Sequence, residues 1–98
     1  MSDTATTTDT ERKVQRPAMW TVVFLNDDFT PMQFVVRVLM EVFDKSLEEA
    51  THIMLQVHKD GAARVGCYTF EVAEQKVNET MRLTFMAQHP LRVFAERL

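Results

Sequence analysis

The run Met19-Trp20-Thr21-Val22-Val23-Phe24-Leu25 crowds β-branched and aromatic side chains together and stops abruptly at Asn26-Asp27-Asp28. Such residues suit a pleated, buried surface, and a cluster of Asn and Asp is where a chain turns. A mostly buried strand over 19–25, delivered straight into an acceptor-rich turn, is therefore the first expectation, and everything downstream must pack against it.

Helical signals follow at once. Thr30-Pro31-Met32-Gln33 reads as a helix start, with Thr30 as the cap, Pro31 at the first helical position and Gln33 where a capping box wants Glu or Gln. Val35, Leu39, Val42 and Phe43 recur at helical spacing, and Val36, Val38 and Met40 widen the stripe until little is left for solvent. Ser46-Leu47-Glu48-Glu49 is a second capping box, ahead of a stripe of Ala50, Ile53, Met54 and Val57 that Gly61 ends. Val65-Gly66-Cys67-Tyr68 makes a short strand. Thr69 then caps a long helix to about Gln88, with Ala73, Val77, Met81 and Thr84 on its inner face. His89-Pro90 breaks that helix, and Leu91, Val93 and Ala95 alternate with Arg92, Phe94 and Glu96 as a last strand. The order β-α-α-β-α-β predicts an α+β domain, in which a small three-stranded antiparallel sheet is covered on one face by three helices. Residues 1–17 offer almost nothing to bury and are expected to form a flexible N-terminal arm, leaving 18–98 as the core domain.

Composition narrows the function classes. With 14 acidic against 11 basic side chains in 98 residues, the charge favours neither a nucleic-acid backbone nor an anionic membrane as partner. The longest apolar run, Val22-Val23-Phe24-Leu25, is far short of the roughly 18 residues that cross a bilayer. Met1-Ser2-Asp3 does not open like a secretory leader, so the cytoplasm is the expected compartment. The single cysteine, Cys67, can make neither an internal disulfide nor a zinc knuckle and is expected to be a reduced core residue. No cofactor or metal motif is present, and two glycines leave no phosphate-binding loop.

The chemistry-bearing residues gather at Asn26-Asp27-Asp28-Phe29-Thr30-Pro31-Met32, where hydrogen-bond acceptors run into a helix whose first turn is apolar at Met32 and Val35. A polar rim beside an apolar hole is one reading; ordinary turn formation, with acidic groups complementing a helix dipole, is the other. His58 follows Met54 by four residues and Val57 by one, so the three approach one helix face. Its imidazole either meets the helix C-terminal dipole or accepts a hydrogen bond beside the pocket.

Taken together, Asn26 to Met32, Phe34-Val35-Val36, Ala50-Thr51, Met54-Leu55, Val57-His58, Gly66, Tyr68-Thr69, Glu71, Ala73 to Val77 and His89-Pro90-Leu91 resemble the ClpS family in order, from Trp20 to Leu91. ClpS proteins are non-enzymatic adaptors that hand substrates with destabilising N-terminal residues, N-degrons, to a Clp-type AAA+ unfoldase and its protease. The resemblance implies that Asn26, Asp27, Asp28 and His58 hold the substrate's free α-amino group. It places Thr30 at the pocket edge, and Met32, Val35, Met54, Val57 and Leu91 around the first side chain, with Met32 as gatekeeper. Phe, Tyr, Trp and Leu are the implied first residues. Glu71 and Lys76 would dock on the N-terminal domain of a ClpA-like unfoldase, and the N-terminal arm would be engaged during delivery. Phe29 stands where tyrosine is frequent in the family, and Cys67 where another small or apolar residue is usual.

Two other classes draw on the same residues. A small hydrolase would use Asp27 or Asp28 with His58, although the cluster holds no nucleophile and no third metal ligand. A plain interaction module would take an internal hydrophobic helix and need no free N-terminus.

Overall fold

The computed structural model describes residues 17–98; of the expected N-terminal arm, residues 1–16 lie outside the described residues. The elements are β1 (Met19–Leu25), α1 (Met32–Glu41), α2 (Leu47–Asp60), β2 (Ala62–Thr69), α3 (Phe70–Ala87) and β3 (Arg92–Arg97), which is the expected α+β order. β1 is the central strand of a three-stranded sheet ordered β2-β1-β3, antiparallel to both neighbours. Its run of β-branched and aromatic side chains earns that place: Val22 and Phe24 join the helix-side core, while Thr21 and Val23 are buried between the edge strands on the other face.

The pairing carries one irregularity with visible results. Val22 faces Gly66 but Val23 faces Arg64, so Val65 is an extra residue in β2, a β-bulge. Ahead of the bulge Ala63 joins the helix-side core, and so does Val65. Beyond it the alternation inverts, so that Gly66 lies opposite Val22 and Tyr68 opposite Trp20 on the helix side. Cys67 consequently turns outward. It is free but exposed, which corrects the expected core position: simple alternation from Ala63 and Val65 would have buried it. On the same outer face Arg64 and Glu96 meet across β1 at 3.7 Å, an exposed pair of small energetic weight.

α2 follows its sequence closely. Ser46 Oγ accepts from the Glu49 N–H, Glu49 Oε1 accepts from the Ser46 N–H, and Gly61 ends the helix at φ 89°, a left-handed conformation that costs glycine nothing. α1 departs from expectation. Pro31 is its N-cap and neither it nor Thr30 supplies a capping side chain; the Thr30 hydroxyl donates to Asp27. Phe34, Val35, Val38 and Leu39 are buried as the stripe requires, whereas Met40 is exposed beside the solvent-facing Arg37–Glu41 pair. α3 buries Ala73, Thr80 and Thr84, with Val77 half-buried. Met81, expected inside, is exposed because the inner line runs 73, 77, 80, 84 and position 81 falls about 70° off its centre. Thr80 and Thr84 tolerate burial because their hydroxyls donate within the helix, to the Lys76 and Met81 carbonyls.

Lys76 ties α3 to the end of α1. Its Nζ donates to the Val42 carbonyl at 2.7 Å and lies over the rings of Phe43 and Tyr68, at 5.6 and 5.5 Å from their centroids. The Tyr68 ring in turn folds back over Gly66, where a Cβ would stand 2.6 Å from Tyr68 Oη. Burial raises the Tyr68 phenol above its ordinary range, helped by the negative charge of Asp44. Gly66→Ala is therefore expected to lower stability by about 1–3 kcal/mol through overpacking, read as a lower urea midpoint at unchanged slope. A variant as stable as the parent would show that the ring yields freely.

Candidate functional site

Where β1 ends, the chain is pinned twice. The Asn26 N–H donates to the Gly61 carbonyl at 2.9 Å, while the Gly61 N–H donates back to Val57 to close α2. The left-handed glycine thus brings the last turn of α2, which carries Val57 and His58, beside the start of the acceptor loop. The loop itself winds around one carboxylate. Asp27 Oδ1 accepts from the N–H groups of Phe29 at 2.8 Å and Thr30 at 2.7 Å, and Oδ2 accepts from the Thr30 hydroxyl at 2.8 Å. Aspartate side chains imitate a backbone turn in this way. Phe29 is left 79% exposed.

Between the loop, the start of α1, the end of α2 and Leu91 lies a cavity of about 180 Å³. It is lined by Leu25, Asn26, Asp27, Asp28, Thr30, Met32, Val35, Met54, Val57, His58 and Leu91. Every residue expected at an amine rim or an apolar pocket from the sequence is in that set. Leu25 is the addition; it ends the apolar strand one residue before Asn26, and that adjacency was the available signal. Val35, Val57 and Leu91 are buried walls, Met54 is half-buried, and Met32 is 42% exposed, at the opening. An apolar cavity of about 150 Å³ suffices to hold a benzene ring, so this one admits an aromatic side chain.

Glu71 and Lys76 lie elsewhere, on α3. Glu71 is exposed in its first turn, and the Lys76 ammonium is engaged by Val42 as described.

Electrostatically the rim offers acceptors. Burial pulls the Asp27 carboxyl upward, but the hydrogen bonds from Phe29 and Thr30, with the positive charge of Arg92, outweigh it and hold the group below its ordinary value of 3.8. The cavity therefore presents a carboxylate, Asn26, Asp28 and an imidazole on one side and aliphatic and thioether carbon on the other. A cationic head attached to an apolar body would satisfy both halves. No Ser, Cys or Lys lines the cavity, and the Thr30 hydroxyl is donated to Asp27. Among the described residues no group of three or more His, Cys, Asp or Glu side chains could hold a metal.

The profile of the family "ATP-dependent Clp protease adaptor protein ClpS" matches residues 15–94. The ATP-dependent Clp protease adapter protein ClpS of Brucella canis is 46% identical over 96 residues, which span 98% of this chain and 83% of that protein. The same-named protein of Phenylobacterium zucineum is 50% identical over 93 residues, 95% of this chain and 85% of its own length. Among solved structures, Agrobacterium tumefaciens ClpS2 bound to L-phenylalaninamide superposes with a TM-score of 0.82 at 36% identity, covering 85% of this chain and all of that one.

The loop geometry carries its own pH signature. A carboxyl whose folded value lies below the unfolded one contributes stability that is complete above the unfolded value and is lost as pH falls through the folded value. The Asp27 turn is thus expected to be intact at neutral pH and to loosen only in acid. The side-chain carbon resonance of Asp27 should titrate with a midpoint below 3.8; a midpoint at or above that value would mean that the three hydrogen bonds do not persist in solution.

Proposed function

We propose that this chain, which belongs to the ClpS family, is an adaptor that reads the free N-terminus of a protein, taking the α-amino group at the rim of Asn26, Asp27, Asp28 and His58 and a bulky apolar first side chain in the cavity. The observation that carries the reading is the juxtaposition of acceptors with a cavity just large enough for an aromatic ring. An α-amine has a reference pKa of about 7.7–8.0 and is largely charged at neutral pH, so it needs such acceptors. L-phenylalaninamide, the ligand of the Agrobacterium ClpS2 structure, joins a free α-amine to a benzyl group. That is the first residue of a Phe-initiated chain in miniature.

Magnitudes support a two-part lock. Burying a Phe, Tyr, Trp or Leu side chain contributes roughly 1.5–3 kcal/mol and each hydrogen bond to a charged amine about 1.5–3, from which ordering costs are subtracted. The sum lands near the roughly −8 kcal/mol of micromolar binding only when both halves are filled. Met32 selects among apolar side chains, because Ile and Val carry a branch at Cβ where its thioether closes the opening. A first-position Arg or Lys would have to shed its hydration in an apolar hole.

The adaptor hands its cargo to a Clp-type AAA+ unfoldase in the cytoplasm, docking through α3 on an N-terminal domain like that of ClpA. On that helix the exposed Glu71 offers charge to the partner. Lys76, its ammonium committed to the Val42 carbonyl and two rings, contributes by holding α3 against α1.

Calorimetry tests the reading. A short peptide starting with Phe or Leu is expected to bind near the micromolar range, and acetylating its amine to weaken binding at least tenfold, the worth of one lost charged hydrogen bond. Equal binding of the acetylated peptide would refute the amine rim. Met32→Ala is expected to admit Ile- and Val-initiated peptides; if discrimination stays unchanged, Met32 is not the gate.

A further inference from the structure

Four polar residues of this rim look interchangeable in sequence, yet the structure separates one from the rest. Three of the loop's donors converge on Asp27, two backbone N–H groups and a hydroxyl at 2.7 to 2.8 Å, and among the described residues none donates to Asp28. A carboxylate offers about four lone-pair sites, so little acceptor capacity remains on Asp27 for an incoming ligand. The donors all belong to Phe29 and Thr30, immediately before Pro31 and the first turn of α1, the turn that carries Met32 and Val35. One side chain therefore sets the path of the chain between the Asn26 anchor at Gly61 and the gate at Met32.

We infer that Asp27 is a positioning residue: its carboxylate is consumed inside the loop, where it presents Asn26 and Asp28 to the ligand and fixes Met32 at the opening, and it does not itself hold the amine. This assignment rests on the adaptor reading and changes its chemistry, since the negative charge that meets the substrate amine comes from Asp28 alone.

The two roles respond differently to an isosteric amide. The Asn side chain of Asp27→Asn keeps an oxygen for the Phe29 and Thr30 N–H groups and offers its Nδ2 to the Thr30 hydroxyl oxygen, so the turn survives without the charge. Asp27→Ala removes the turn. In Asp28 the charge is what matters, and an amide, which keeps an acceptor oxygen but no charge, does not replace it.

The experiment measures the affinity of a Phe-initiated peptide for the full chain and for Asp27→Ala, Asp27→Asn, Asp28→Ala and Asp28→Asn, together with amide hydrogen exchange at Phe29 and Thr30. Asp27→Ala is expected to weaken binding about tenfold, the scale of one lost charged hydrogen bond, and to deprotect both amides. Asp27→Asn is expected to restore the protection and to bind within about threefold of the parent, while both Asp28 variants stay about tenfold or more weaker with the amides still protected. Asp27→Asn binding as weakly as Asp27→Ala with protected amides would overturn the inference, because the charge of Asp27 would then be read directly. Parental affinity in Asp27→Ala would overturn it too, since no positioning would be needed. Failure of the parent chain to bind the peptide would instead refute the adaptor reading, and the inference with it.

Discussion

The pairing of β1 with β2, which reaches Leu25 and Ala62 and is extended by the hydrogen bond from the Asn26 N–H to the Gly61 carbonyl, holds together the parts of the molecule that meet at the cavity. That last bond joins the end of the central strand to Gly61, the residue at φ 89° that reverses the chain between α2 and β2. Residues 26 and 61 are far apart along the chain, so their contact brings the acceptor loop and the last turn of α2 to one place. Asn26 and His58 are neighbours in the cavity wall for this reason, and the apolar residues below them are simply the core of a small domain left open at one corner.

That opening is made economically. Val35, Val57 and Leu91 belong to the buried core as much as to the cavity, so the pocket has no separate scaffold. Rigid walls of this kind hold a first side chain without rearrangement and keep the ordering cost of binding low. Only Met32 and Met54, unbranched and polarizable, can adapt their shape to different apolar guests.

How much could be read from the chain depended on how local the controlling interaction was. The Ser46–Glu49 capping box and the Gly61 terminus are decided within a few residues, and both are as the sequence implies. The cavity lining was legible for a related reason: its polar members occupy one loop, and its apolar ones repeat on helix stripes beside it. Thr30 is not the cap because α1 starts one residue later than its signal implies, with Pro31 as N-cap, and the Thr30 hydroxyl belongs to the Asp27 turn. Met81 was misplaced because Thr80, polar by composition, satisfies its hydroxyl inside α3 and takes the inner line beside the expected Thr84. Cys67 was misplaced because its side is decided by pairing with a distant strand. Leu25 looked like the last residue of a strand and nothing more.

The uncounted residue in β2 has an effect resembling a frameshift. A strand is read two residues at a time, and Val65 puts everything after it out of phase: a thiol that would have been sealed in goes to solvent, and a phenol that would have been exposed comes inside. Tyr68 can then lie over the bare glycine and beneath the Lys76 ammonium, which closes the end of α1. Removing a single amino acid from an edge strand would thus unseat a lysine on a helix that the strand's own hydrogen bonds never reach.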